Sequence, residues 1–212
     1  MSPVPNVRDL VIAGWTGRNE AAVEKHIREL AALGVPRPRS VPCFYRVSSA
    51  LLTSAEVVDV VGAETSGEVE VVLFSLEDGL WVGVGSDHTD RRTETFDITV
   101  SKQACPKPVG PQLWRYSEVA DHWDQLTLRS YAVNGARRDL YQEGKVTHLR
   151  PPEELIHRYT DGKGLPPSTA MFCGTLPALS PVKGAAAFEI QLEDPVLGRI
   201  LHHRYRIRTQ PY

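Results

Sequence analysis

The segment Gly67-Glu-Val-Glu-Val-Val-Leu-Phe-Ser75, followed by Leu76-Glu-Asp-Gly79 and Leu80-Trp-Val-Gly-Val-Gly-Ser86-Asp87, decides the fold. Two β-like runs flank Asp78-Gly79, a strong two-residue hairpin signal. With Asp78 and Gly79 as the central turn residues, Glu77 pairs with Leu80 and Glu70 lies opposite Asp87. The two-residue side-chain period puts Glu68 on the same face. Opposed Cβ atoms lie roughly 4.5–5.5 Å apart. Two unit charges about 5 Å apart at an effective dielectric near 20 repel by roughly 3 kcal/mol. Three oxygen donors at one point therefore suit a hard divalent cation, Mg²⁺ or Mn²⁺, with positions left for water or substrate. A solvated acidic edge, where such repulsion is screened, is the competing account of the same residues.

At 212 residues and 42% hydrophobic, the chain can bury a substantial core, and no linker-like run divides it, so the expectation is one domain over residues 1–212. A formal charge of −2 argues against a general nucleic-acid or membrane-surface binder. Cys43, Cys105 and Cys173 are odd in number and lack CxxC spacing, which fits a reducing compartment. The start, Met-Ser-Pro-Val-Pro-Asn-Val-Arg-Asp9, has no charged leader followed by a long apolar run. Cytoplasmic residence without a signal peptide or membrane span is the resulting expectation.

Two helices stand out among strands. Asn19 caps a predicted helix from Glu20 to Leu33, with Val23, Ile27, Leu30 and Ala31 at helical spacing and Gly34 then Pro36 ending it. A second begins at Pro151-Pro152-Glu153-Glu154. Strands are predicted at Val41 to Val47, Val57 to Val61, Thr95 to Val100, Leu126 to Val133, Ala170 to Cys173, Ala187 to Leu192 and Arg199 to Arg208. Asn134-Gly135 and Glu143-Gly144 read as turns of a further hairpin region. The order indicates an α+β, mainly β domain. On the first helix, His26 and Glu29 are neighbours on one face at the border of the apolar stripe. A histidine oriented by a carboxylate suits general-base work, although such pairs are commonplace on surface helices.

These residues together resemble the fumarylacetoacetate hydrolase superfamily, over much of the chain from Ile12 to Pro177. The motifs are His26-Ile-Arg-Glu29, Pro42-Cys-Phe-Tyr-Arg-Val-Ser-Ser-Ala-Leu51, Glu68-Val-Glu70, Ser86-Asp-His-Thr-Asp-Arg91, Lys102-Gln-Ala-Cys-Pro-Lys-Pro-Val-Gly-Pro111 and Cys173-Gly-Thr-Leu-Pro177, in the family's order. The resemblance implies a mixed β-roll or barrel with a few short helices and a homodimer. It also implies Mg²⁺ or Mn²⁺ on Glu68, Glu70 and Asp87, and a 2-oxo acid as the small-molecule substrate. By the same resemblance His26 is the base and Glu29 its orienter, Lys102 supplies a cation near the developing oxyanion, and Thr175 hydrogen-bonds the substrate. Arg91 pairs with a second acidic group, or is simply a solvated strand-end arginine. The implied activity is hydrolysis of a C–C bond in a 2-oxo or β-dicarbonyl acid such as an acylpyruvate, through a metal-stabilised enolate. A lyase or isomerase using the same metal site is the first alternative, and a non-catalytic accessory protein retaining the fold is the second. The chain departs from the pattern in the extra helix before His26, in Arg46 and Ser86, and in the tight hairpin between Glu70 and Asp87.

Other constellations are weaker. Gly83-Val-Gly85 lacks the third glycine and the helix of a dinucleotide fingerprint and reads as a strand with small residues. Asp121-His122-Trp123-Asp124 and His202-His203 lack zinc-site spacing. His88, next to Asp87, points to the opposite strand face and is expected to pack or to support the site. The alternating arginines of Arg199 to Arg208 read as an exposed strand face. No Gly-x-Ser-x-Gly elbow is present.

Overall fold

Val69–Leu76 and Gly79–Ser86 pair as the expected hairpin in the computed structural model, which describes residues 5–32, 37–182 and 184–211 apart from the side chains of His26 and Leu30. The register differs from the expected one. Leu76 pairs with Gly79 and Glu70 with Gly85, so the turn is Glu77-Asp78, and the Asp87 N–H donates to the Glu68 carbonyl at 2.9 Å. The turn settles there because the Asp78 carboxylate accepts from Trp81 Nε1 at 2.8 Å and Arg115 Nη2 at 2.9 Å, while Gly79 opens the second strand at φ 126°. Each partner moves by two residues. Since the side-chain period is also two, every residue keeps its face and the acidic trio still converges.

The hairpin lies within a six-stranded mixed sheet whose order is Trp114–Arg115, Gly79–Ser86, Val69–Leu76, Thr169–Thr175, Asp9–Gly14 and Cys43–Val47. Both faces are covered. Val69, Val71, Leu73, Val82 and Val84 pack with Leu128, Ile190 and Leu192 of a second sheet, whereas Val72 and Phe74 pack with Leu10, Ile12, Ala170 and Phe172 on the other side. Gly83 and Gly85 lie on the Glu70 face, where a Cβ on Gly85 would come within 2.6 Å of Val72 and 2.8 Å of Phe172. Small residues there let large neighbours close over the strand.

The second sheet runs Arg137–Lys145, Thr127–Asn134, Ala187–Asp194, Arg199–Gln210 and Val57–Val61, with the last pair parallel. Asp9–Gly14 is likewise parallel to Thr169–Thr175. The α+β, mainly β class holds, and neither large sheet closes into a barrel. The alternation along Arg199–Gln210 is kept, with Arg199, Arg204 and Arg208 ion-paired to Asp194, Glu189 and Asp59.

Two predicted elements are corrected. Thr95 to Val100 is not a strand: a short helix occupies Ile98–Gln103 because the Asp97 carboxylate caps it, accepting from the Val100 N–H at 3.0 Å. Glu143-Gly144 is no turn and lies inside the Arg137–Lys145 strand, where Glu143 is held by Arg129. The hairpin at Asn134-Gly135 is present, with Asn134 paired to Arg137 and Gly135 at φ 61°. The helices Glu20–Ala32 and Pro152–Thr160 form where expected, although Leu33, Gly34 and Pro36 lie outside the described residues. Among the described residues no helix is long and apolar enough to cross a membrane.

Replacing Gly85 by Ala is expected to overpack the sheet against Val72 and Phe172 and to destabilise the fold by about 1–3 kcal/mol. Urea unfolding that leaves the midpoint unchanged would contradict this packing account.

Candidate metal centre

Glu68, Glu70 and Asp87 each place one carboxylate oxygen within 4.8 Å of the others. Their positions follow from the hairpin: Glu70 stands in the strand, Glu68 just before it, and Asp87 just after the returning strand. Asp87 is fully buried, Glu70 nearly so, and Glu68 partly exposed. Each has a distinct anchor. The Gly174 N–H donates to Glu70 Oε2 at 2.7 Å, and Arg91 Nη2 donates to Glu68 Oε1 at 2.9 Å. Asp87 lies between two ammonium groups, that of Lys102 bonded to Oδ2 and that of Lys107 at 3.2 Å from Oδ1.

The Ile98–Gln103 helix delivers Lys102, whose Nζ is also 3.6 Å from Glu68 Oε2. Burial acts against its charge, but Asp87, Glu68 and Glu70 outweigh that and hold its pKa above the ordinary lysine value. Lys107 is the residue that sequence reasoning missed. Its ammonium is fully buried, donates to the carbonyls of His88 at 2.6 Å and Cys105 at 3.0 Å, and has its pKa pulled below the usual value by desolvation. Flanking prolines marked a loop there, but nothing local signalled a buried cation.

Burial pushes the Glu70 carboxyl well above its ordinary pKa, and the neighbouring Asp87 charge adds to the effect. Burial pushes Asp87 in the same direction, yet the charges of Lys102 and Lys107 prevail and hold it below the usual range. Asp87 Oδ1 makes no hydrogen bond, because the short bonds of Lys107 go to the two carbonyls. A buried oxygen whose neighbouring ammonium spends its hydrogen bonds on carbonyls, beside two further carboxylates and, among the described residues, no sulfur or nitrogen ligand, fits a hard cation of the Mg²⁺ or Mn²⁺ type. Lys102 shares these oxygens, so a bound cation would compete with its ammonium.

A second layer fixes Asp87 from behind. Ser86 Oγ accepts from the Glu68 N–H at 3.1 Å and bonds the Tyr205 hydroxyl at 2.8 Å. That hydroxyl is 3.1 Å from His88 Nδ1, and His88 Nε2 is 2.9 Å from Thr65 Oγ1. His88 does point away from the carboxylates. Burial first, then the Lys107 and Arg91 charges, lower its pKa to about 3.

The other expected site residues are placed as follows. Arg91 Nε donates to Ser66 Oγ at 2.6 Å and Nη1 to Glu94 at 2.8 Å, so the guanidinium is committed on three sides and is no loose strand-end arginine. Thr175 Oγ1 donates to the Val69 carbonyl and accepts from Gln142 Nε2, both at 2.8 Å, and Thr175 is the strand partner of Glu70. Glu29 is exposed, 3.8 Å from Lys25, and is not among the residues lining the cavity over the site. The His26 side chain lies outside the described residues.

That cavity has a volume of about 1120 Å³ and is bordered by Glu68, Glu70, Arg91, Lys102, Gln142 and Thr175. The helix Glu20–Ala32 contributes Ala22 and Val23 to its wall. Gly174 is required for the site's shape: at φ 98°, a Cβ there would meet Thr16 Oγ1 at 1.7 Å.

A family model described as a protein of unknown function (DUF2848) matches residues 13–205. No curated protein matches significantly. Among solved structures, 2-keto-3-deoxy-D-arabinonate dehydratase complexed with magnesium and 2,5-dioxopentanoate superposes with a TM-score of 0.68 at 16% identity, over 98% of this chain and 75% of its own. Yeast ynq8, a fumarylacetoacetate hydrolase family protein, gives 0.66 at 15% identity, over 98% and 95%. A fumarylacetoacetate hydrolase family protein from Yersinia pestis CO92 gives 0.64 at 16%, over 95% and 93%. The backbone is that of fumarylacetoacetate hydrolase-family proteins.

Because His88 binds its proton less tightly in the fold than in the unfolded chain, stability from burying it neutral is complete above about pH 6.5 and declines as pH falls towards about 3. Urea midpoints should therefore drop more steeply for the wild type than for His88→Asn between about pH 6.5 and 4. Parallel midpoints would mean that the ring does not titrate as this burial requires.

Proposed function

We propose, for a chain that belongs to the DUF2848 family and has the fumarylacetoacetate hydrolase fold, that it is a divalent-metal-dependent enzyme hydrolysing a C–C bond of a 2-oxo or β-dicarbonyl acid. The observation that carries this reading is the meeting of three carboxylate oxygens and the Lys102 ammonium beside one cavity, which Glu68, Glu70 and Lys102 line and behind which Asp87 is buried. Glu68, Glu70 and Asp87 would hold Mg²⁺ or Mn²⁺, which when bound supplies Lewis acidity toward the oxygens of a 2-oxo acid. Lys102 presents a fixed positive charge where negative charge grows on the substrate. Lys107 and Arg91 keep Asp87 and Glu68 in place, so the site does not have to reorganise as the reaction proceeds.

Hydrolysis further requires a base to take the proton of attacking water. His26, oriented by Glu29, is assigned that role from the family resemblance. The helix bearing both already forms part of the cavity wall through Ala22 and Val23. A lyase or isomerase on the same centre is the second reading. It is favoured by the dehydratase among the structural neighbours and by the exposed position of Glu29.

Acylpyruvates, oxaloacetate and hydroxylated 2-oxo acids should be assayed with chelator-stripped and Mn²⁺-reloaded protein. Turnover is expected only with the metal restored. His26→Ala should then lower hydrolysis by about two orders of magnitude or more, while leaving a lyase reaction largely intact. Full acylpyruvate turnover by the stripped protein would refute the metal-centred reading.

A further inference from the structure

The cavity is larger than a 2-oxo acid headgroup requires, and the question is what fills the rest of it. Three arginine and lysine side chains line it among the described residues, and each is already occupied. Lys102 is bonded to Asp87 and lies near Glu68. Arg91 divides its donors among Glu68, Glu94 and Ser66. Arg18 gives Nε to the Leu149 carbonyl at 3.0 Å and both terminal nitrogens to Asp124 at 3.2 and 2.8 Å. Among the described residues, a second carboxylate on the substrate would have to break one of these pairs, turn to His148 or to neutral donors such as Asn19 and Thr147, or lie against the apolar wall without a partner. Breaking the Lys102 or Arg91 pairs is costly, because a buried charge stripped of its partner forfeits its desolvation energy, whereas the Arg18–Asp124 pair at the rim is exposed and weaker.

Much of the remaining wall is apolar. Trp15, Val23, Ile98, Leu149, Pro177 and Val182 all line the cavity. The indole Nε1 of Trp15 donates to the Tyr45 hydroxyl at 3.2 Å, so polar atoms of two of the aromatic residues there bond each other.

We infer that the cavity selects a 2-oxo acid whose remote end is uncharged and apolar, about the size of a phenyl ring, over one ending in a second carboxylate. This rests on the proposed 2-oxo acid chemistry and adds to it the substrate's tail. Apolar surface removed from water favours the first ligand, and a carboxylate set against the same apolar wall loses hydration.

The test compares two matched pairs. For turnover by the Mn²⁺-loaded protein the pair is 2,4-dioxo-4-phenylbutanoate and 2,4-dioxohexanedioate. For calorimetric binding with and without Mn²⁺ it is 4-phenyl-2-oxobutanoate and 2-oxoglutarate. The phenyl member should lead by about tenfold or more in kcat/KM and in affinity. Val182→Lys, an exposed wall position whose replacement spares the core, should shift both ratios toward the dicarboxylate by several-fold. Equal or reversed preference, or ratios unmoved by Val182→Lys, would overturn the inference. Phenyl-selective binding without turnover would leave it standing while removing C–C hydrolysis. Binding of neither ligand would remove both.

Discussion

Asp87 is a carboxylate with no exposure to solvent, and the ion cluster that compensates it is the constraint on which the candidate site depends. Removing one carboxylate from water costs several kcal/mol even after relaxation, and two more stand beside it. The chain answers with Lys102 on one oxygen, Lys107 beside the other, and Arg91 on Glu68. This arrangement needs the Ile98–Gln103 helix to aim Lys102 and a turn at Cys105 to Lys107 to bury the second ammonium among carbonyls. The hairpin, the helix and the loop are therefore joined by charge as much as by apolar packing. Glu70, on which no ion pair falls among the described residues, has its pKa pushed well above the ordinary carboxylate value by burial and then by the Asp87 charge.

The acidic trio was legible because it depends on parity. A hairpin read with the wrong turn residues still puts Glu68, Glu70 and Asp87 on one face, since the error displaced every partner by two positions. The helix carrying Lys102 was not legible in the same way. Phe96, Ile98 and Val100 alternate like a strand, but Phe96 and Val100 are solvent-exposed, and the local cap at Asp97 outweighed the pattern. Lys107 left no trace at all, because its role comes from carbonyls set by tertiary contacts. The His26 and Glu29 pair rests on resemblance, and Glu29 is exposed on its helix.

A shared backbone at 13–16% identity fixes where strands run, and chemistry is decided by the side chains on them. Ser86 and His88 flank Asp87 in sequence and turn to the opposite face, where Tyr205 and Thr65 hold them. Gly67 contributes by having no side chain, since a Cβ would lie 2.6 Å from the Tyr205 hydroxyl. The acidic segment is thus anchored to the second sheet through a neutral hydrogen-bonded chain that adds no further charge to a crowded centre.

The parallel pairing of Val57–Val61 with Arg199–Gln210 carries a consequence for biogenesis. During synthesis the earlier strand emerges well over a hundred residues before its partner, and it must wait with its pairing edge open. Asp9–Gly14 waits similarly for Thr169–Thr175. The nascent chain accordingly keeps the Val57–Val61 edge unpaired until Arg199–Gln210 has been made, an interval in which an open strand edge is a template for wrong pairing.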